Sequence, residues 1–331
     1  MKILLVGVVT REIAQSAVAA GYEVISLDYF GDSDLLADAQ VYSLVRDFLL
    51  EPTHHNLILG AKTFSGAVDK IVVGAGVENE PGLLEICGFD KYWSNSASTI
   101  KKVRDPLFLS KFLQNQSLSF PKTLSPHDKL PNIGEWLVKD QRCSGGLGIR
   151  EWDGQRSLQE YEVLQEKING DLMSANFLSD GKSAILIGLT RQYAGVQELG
   201  VPPFYWCGNT APYMDKNLEK EISQVLNNLA QECEIVGVNG IDFILQDEIP
   251  YLLEINPRWT GSLELFERLY GLNMFRLHVN ACRGELPESL PSLPDQTVIG
   301  KGILYADRDI TLGDTSTWRN RCIADIPHAC E

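Results

Sequence analysis

Long apolar runs are missing from this chain of 331 residues: no stretch of about 18 or more uninterrupted apolar residues occurs, which excludes a membrane-spanning helix. Basic charge is short as well. Lysine and arginine number 29 against 44 aspartates and glutamates, a formal net charge of −15. So acidic a chain opposes non-specific nucleic-acid binding and points to small-molecule or protein partners. The seven cysteines (Cys87, Cys143, Cys207, Cys233, Cys282, Cys322, Cys330) form no C-x-x-C and show no ligand spacing with the five histidines. Odd in number and widely spread, they suit free thiols in a reduced compartment. Low-complexity runs and internal repeats are also lacking. The opening segment Met1–Val9 is too short and too β-branched for a signal peptide and reads as a buried strand, so a cytoplasmic location is expected.

Two nucleotide fingerprints are absent too. The first turn, Gly7-Val8-Val9-Thr10-Arg11, lacks the G-x-G-x-x-G that lets backbone approach a pyrophosphate, and Gly74-Ala75-Gly76 has no third glycine at the required place. A dinucleotide-binding reading is therefore rejected. The loop Ser144–Gly148 is not a P-loop either, because no G-K-[ST] follows it and a strand rather than a helix comes after it.

What is present is 44% hydrophobic content over a length that can pack two or three lobes. The first hundred residues alternate strand and helix. A strand over 2–9 leads to Thr10 as N-cap, a helix over 11–20 ending at Gly21, a strand Tyr22–Asp28, and later a strand Lys70–Val73 running into Gly74–Glu78. This βαβ pattern predicts a parallel sheet with ligands at the carboxyl ends of its strands. Asp105-Pro106 then starts a helix expected to run through about Asn115. Strands are predicted at Trp136–Lys139 and Ile149–Trp152. Residues 216–233 place Leu218, Ile222, Val225, Leu226, Leu229 and Cys233 at helical spacing. Helices at 262–270 and 272–283 each end at a glycine, and 297–307 is strand-like.

The most informative stretch is Tyr251–Thr260. Its apolar strand carries Glu254 and Asn256 two positions apart, on one face of the pleat. Asp242 sits in a second apolar strand, and the turn-prone Gln246–Pro250 between them makes a hairpin that brings Asp242 beside Glu254. Acidic residues in strands are often solvated edge positions. Here the flanks Ile241, Phe243, Ile244, Leu252, Leu253 and Ile255 are too apolar for that, and a buried carboxylate must be paired, hydrogen-bonded or metal-bound. Two carboxylates, an amide oxygen and Arg258 on one wall form the ligand set of a hard cation clamped on phosphate oxygens.

Upstream, Lys139 precedes a loop with Ser144, Gly145, Gly146 and Gly148, and a strand follows. Such a hairpin closes backbone N–H groups over phosphates, with the lysine as a point charge, although the same pattern also makes an ordinary flexible turn. Further on, Leu164–Asp171 changes from apolar to polar and turns at Gly170. It reads either as a plain linker or as an extended segment offering backbone groups to adenine, with Asp171 free for ribose.

The order of these parts, lysine and glycine hairpin, then Glu166-Lys167-Ile168-Asn169-Gly170, then Asp242 and Glu254-x-Asn256-Pro257-Arg258, resembles the ATP-grasp superfamily. Within it the chain looks most like the predicted carboligases related to biotin carboxylase and carbamoyl-phosphate synthetase, a group that includes amino-acid ligases. The resemblance implies an α/β fold in which a Rossmann-like pre-ATP-grasp domain (1–97) precedes a two-lobed clamp. The small lobe would span 98–170, and the large lobe with the metal site 171–331. It implies ATP with Mg²⁺ or Mn²⁺, the metal held by Asp242, Glu254 and Asn256. Arg258 would steady the phosphoryl group, and Lys139 would contact the α- and β-phosphates under Ser144, Gly145, Gly146 and Gly148. Glu166, Lys167 and Ile168 would meet adenine, with Asp171 on ribose. Where many relatives carry a lysine after the aspartate opening the central helix, this chain has Pro106; Lys101, Lys102 or Arg104 would have to substitute. The closing segment Ile323–Glu331 looks shortened or divergent.

The implied activity is an ATP-dependent carboxylate–amine ligase working through an acyl phosphate, on small-molecule substrates, with a homodimer compatible. The alternatives are a biotin-carboxylase-like enzyme using bicarbonate, although no biotinyl-carrier A-M-K-M occurs here, and a non-catalytic ATP-binding regulator.

Overall fold

Apolar β-branched segments with short helical crossovers build the first sheet. In the computed structural model, which describes residues 1–35, 39–82, 84, 88, 92–114, 116, 118–294, 296–318 and 322–328, this sheet is wholly parallel. Its strands are β1 (Lys2–Val6), β2 (Glu23–Asp28), β3 (Gln40–Ser43) and β4 (Lys70–Val73), in the order β3-β2-β1-β4. Helices α1 (Arg11–Ala19) and α2 (His54–Lys62) connect them. β1 is shorter than the sequence pattern predicts, because beyond Val6 the chain turns out of the ladder: the Gly7 N–H donates to Leu27 O and the Val8 N–H to Ala75 O. Thr10 precedes α1 but does not cap it. Its hydroxyl and backbone N–H both donate to buried Asp28, at 2.8 and 3.2 Å, so Thr10 ties the helix start to the end of β2.

Helices α3 (Ala97–Val103) and α4 (Pro106–Leu113) lead into the second sheet. Asp105 accepts the Leu107 N–H at 2.9 Å with Pro106 in the first turn, the start the sequence implies. The helix ends at Leu113, and the expected terminus Asn115 lies outside the described residues. The second sheet is small and antiparallel, with β5 (Thr123–Leu124), β6 (Trp136–Asp140), β7 (Ile149–Glu151) and β8 (Glu162–Glu166) in the order β5-β8-β6-β7.

The third sheet has six antiparallel strands. β9 (Asp171–Asp180), β10 (Ala184–Ala194) and β11 (Trp206–Tyr213) precede helix α5 (Lys216–Cys233), whose bounds match the sequence reading. β12 (Val236–Gln246) and β13 (Ile249–Asn256) follow, then α6 (Leu263–Tyr270), α7 (Met274–Cys282) and β14 (Ile299–Gly302). The order is β13-β12-β9-β10-β11-β14. One face packs on α5 and α4, where Leu226, Leu229 and Leu109 meet Phe177, Ile241 and Phe243. The other carries α6 and α7 and reaches α1, joining Phe266 and Phe275 to Ile13 and Ala17. That second core fixes the parallel sheet against the large antiparallel one. Among the described residues no helix is long and apolar enough to cross a membrane.

Gly188 shows how close this packing is. It lies at a register shift in β10, and a Cβ there would collide with the ring of Phe266 on α6, which is fully buried. Gly188→Ala should therefore destabilise the protein by about 1–3 kcal/mol as an overpacking substitution, read from chemical denaturation, and an unchanged midpoint would overturn the account.

Candidate active site

The hairpin of β12 and β13 turns on two residues, Asp247 and Glu248, both at positive φ (49° and 64°), the twist a tight two-residue turn requires. That turn sets the register. Asp242 stands directly opposite Glu254, and Gly240 opposite Asn256. Two carboxylates thus share one wall, as the sequence spacing predicts.

Burial first, and then the like charge of Glu254, push the Asp242 carboxyl up to about 8. The Asn256 amide answers part of this charge, donating to Asp242 Oδ2 at 2.8 Å while its Oδ1 accepts from Arg258 Nη2 at 3.2 Å. All available donors here are hard oxygens, which fits Mg²⁺ or Mn²⁺, and a divalent cation would relieve the repulsion. Among the described residues no group of three His, Cys, Asp or Glu side chains gathers that could hold a metal. Two carboxylates and one amide leave most of a six-oxygen shell to water and phosphate, the way Mg²⁺ is commonly held on nucleotides.

Lys139 stands on β6 and lines the same cleft as Glu254, Leu253 and Ile255 of β13 and Val163 and Gln165 of β8. Burial lowers its ammonium pKa, while Glu254 and Asp242 pull it back up. Arg104 and Pro106 line this cleft too. Of the three cations proposed to substitute for a lysine at Pro106, Arg104 is the one lining the cleft; Lys102 pairs with Glu232 at 2.8 Å, and Lys101 is exposed.

The glycine hairpin lies against residues 204–206. The Trp206 N–H donates to Gly145 O at 3.1 Å, and a Cβ on Gly146 (φ 85°) would collide with the Phe204 carbonyl. Ser144 Oγ is 3.4 Å from Asn79 Nδ2. Gly148, at φ 75°, closes the turn over Asp140 and Cys143.

The segment assigned to adenine is less free than a linker. β8 runs to Glu166 and β9 starts at Asp171, leaving four residues between them. The Glu166 N–H donates to Lys122 O and the Lys167 N–H to Glu135 O. Lys167 pairs with Glu151 at 3.0 Å, Asp171 pairs with Arg191 at 2.9 Å, and Ile168 is half-buried between them. Asp171 is therefore engaged rather than free for a ribose.

Arg258 has a partner that the sequence did not suggest. Its Nε donates to Glu78 at 2.6 Å, 180 positions away, and Nη1 donates to Trp259 O at 3.0 Å. Glu78 follows β4 in a 3₁₀ turn, Val77–Asn79. Its burial would raise the carboxyl pKa, but Arg258 and then Arg104 outweigh that and hold it below the usual range. The available signal was topological: Gly74–Glu78 sits at the carboxyl end of a parallel strand, where ligands gather.

Since Asp242 binds its proton more tightly folded than unfolded, its contribution falls as pH rises through the window from about 4, its ordinary value, to about 8. With metal chelated, the stability of Asp242→Asn relative to wild type should rise across that window, measured by melting. Mg²⁺ should raise the wild-type melting temperature more than that of the variant. Parallel pH curves would sink this assignment.

Residues 103–262 match a family model described as an ATP-grasp domain. An uncharacterized protein of Methanocaldococcus jannaschii is 27% identical over 304 residues, 85% of this chain and 74% of its own length. Among solved structures, the biotin carboxylase domain of Hydrogenobacter thermophilus 2-oxoglutarate carboxylase, in complex with MgADP, ADP and bicarbonate, aligns with a TM-score of 0.67. The match covers 87% of this chain and 71% of that one at 12% identity. An L-amino acid ligase from Bacillus licheniformis aligns with a TM-score of 0.62 at 17% identity, covering 86% and 74%. At such identities the solved structures establish the fold alone.

Proposed function

Because this chain carries an ATP-grasp domain on an ATP-grasp fold, we propose that it is an ATP-dependent carboxylate–amine ligase working through an acyl phosphate. The observation that carries the reading is the linked set of Asp242, Glu254, Asn256 and Arg258, of which Glu254 lines a cleft together with Lys139. Mg²⁺ held by Asp242, Glu254 and Asn256 would neutralise charge on the phosphates. Lys139 would add a point charge at the nucleotide, and the hairpin Ser144–Gly148 would cover it and exclude water. Glu166, Lys167 and Ile168 would flank adenine, with Asp171 reaching ribose once released from Arg191.

In the first step a carboxylate oxygen of the substrate attacks the γ-phosphorus, the bond to the β–γ bridging oxygen breaks, and ADP leaves. In the second an amine attacks the acyl carbon, inorganic phosphate leaves, and the amine gives up a proton. Arg258 suits the first step. A guanidinium has five N–H donors, and three are already held by Glu78, Trp259 O and Asn256, so two remain for phosphoryl oxygens. Positioning and charge neutralisation supply most of the rate in such transfers.

Small-molecule acids and amines, a homodimer and a cytoplasmic setting belong to the same reading. Phosphate release from ATP and Mg²⁺ over a panel of amino acids, with bicarbonate as a further acid, tests it. The structural neighbour in complex with bicarbonate is the reason to include that arm. Glu254→Gln should abolish release while leaving the fold intact. Arg258→Lys should lower kcat by roughly 10²-fold with ATP affinity nearly unchanged. ATP binding without phosphate release under any pair would instead mark a regulator.

A further inference from the structure

Glu78 and Asn79 are consecutive residues of the parallel-sheet domain, and they grip opposite sides of the cleft. Glu78 is 2% exposed and holds Arg258 Nε at 2.6 Å; from Arg258 the contacts continue through Asn256 to Asp242. Asn79 Oδ1 accepts from Arg104 Nη2 at 2.7 Å, and the same nitrogen reaches the carbonyls of Gln141 and Cys143 in the glycine hairpin at 3.1 and 3.2 Å. Arg104 Nη1 lies 4.0 Å from Glu78 Oε1, so one carboxylate faces both guanidinium groups. Its second oxygen is buried without a hydrogen-bond partner.

We propose that Glu78 and Asn79 are positioning residues: from a single turn they hold Arg258 toward the phosphoryl-transfer wall and Arg104 against the glycine hairpin, so that hairpin closure and Arg258 alignment occur together. The physical reason is that the two cations have few other anchors. Without the Glu78 charge, Arg258 retains only the neutral oxygens of Trp259 and Asn256, and nothing fixes the edge that carries its spare donors. Without the Asn79 oxygen, Arg104 loses its shortest hydrogen bond and its contact with the two hairpin carbonyls slackens. This inference rests on the ligase reading for its kinetic test but not for its structural one.

The kinetic test is a double-mutant cycle of Glu78→Gln and Arg258→Lys, measured as phosphate release with saturating ATP, Mg²⁺ and the best acid–amine pair of the panel. Glu78→Gln should lower kcat about 10- to 100-fold and leave the KM for ATP within about twofold. Placed on Arg258→Lys it should cost less than about twofold more, because its effect runs through that residue. Multiplying losses, or a lowered melting temperature with turnover per folded molecule intact, would overturn the positioning role. The structural test is tryptic cleavage after Arg142 in the full chain, with Mg²⁺ and a non-hydrolysable ATP analogue. Asn79→Ala and Glu78→Gln should each cut several-fold faster than wild type at a temperature well below the melting point of all three, and equal rates would overturn the grip on the hairpin. Were wild type to release no phosphate with any acid–amine pair, the ligase reading would fall while the cleavage rates still decided this one.

Discussion

Two carboxylates forced face to face in a hairpin set the terms for the rest of the cleft. Asp242 and Glu254 are cross-strand partners in strands whose neighbours Ile241, Phe243, Leu252 and Ile255 are fully or almost fully buried. The strands cannot slip by one residue to separate the charges, since a slip would turn the whole apolar set outward. Repulsion is therefore built into the fold, and the surrounding polar groups are arranged against it. Asn256 donates to Asp242, Arg258 donates to Asn256, and Glu78 accepts from Arg258. Lys139, half-buried across the cleft, feels both carboxylates. A network of alternating donors and acceptors is stable only when each member is answered, because a buried polar group left alone is expensive.

The same chain of contacts explains why three sheets act on one site. Glu78 belongs to the parallel sheet's domain, Lys139 and the glycine hairpin to the small antiparallel sheet, and Asp242 and Glu254 to the large one. Phe266, Phe275 and Trp259 pack in one core with Ile13 and Ala17 of α1, and at the edge of that core Arg11 pairs with Glu264 and Ser16 donates to Glu267. Apolar packing and these polar contacts together join the parallel sheet to the large one, apart from the ion pair of Glu78 with Arg258. The glycine hairpin is differently held. Its contacts to Trp206, Asn79 and Arg104 are a few part-buried hydrogen bonds rather than an apolar core, the kind of holding that permits opening.

Much of this was legible in the sequence where a short-range pattern carried it. Helix α5 showed its buried side chains at helical spacing, and the pairing of Asp242 with Glu254 follows from two apolar strands and a short turn. Local patterns misled where a tertiary contact outbid them. Thr10 has the composition of a cap, but buried Asp28 takes its hydroxyl. Asp171 had the look of a free carboxylate beside a linker, whereas Arg191, a cross-strand neighbour of Met173 on β10, pairs with it. The strands β9, β10 and β11 escaped notice because the face that carries Ser174, Asn176, Thr190 and Asn209 is polar and yet buried. Those side chains satisfy one another, with Thr260 and Ser262 at the edge; in β9 Ser174 and Asn176 alternate with Met173, Ala175 and Phe177, and both faces are buried, so the alternation there does not divide core from solvent. No local pattern could have paired Glu78 with Arg258 across 180 positions.

On the proposed ligase reading, the state of Arg258 is what would set this arrangement apart from a passive nucleotide holder. A guanidinium that only braced a strand end would spend all five donors on the fold, whereas this one spends three and keeps two. Here the side chain is about 10% exposed, fixed at three donors, and aimed by a buried anion on another domain. Its orientation is settled before any ligand arrives, so little reorganisation remains when charge develops on a transferring group. Preorganisation of that kind favours a transition state over a bound substrate. The Glu78 charge matters in the same way. On the proposed reading it would hold Arg258 away from Asp242 and Glu254, leaving those carboxylates for a cation and the guanidinium edge for a phosphoryl group.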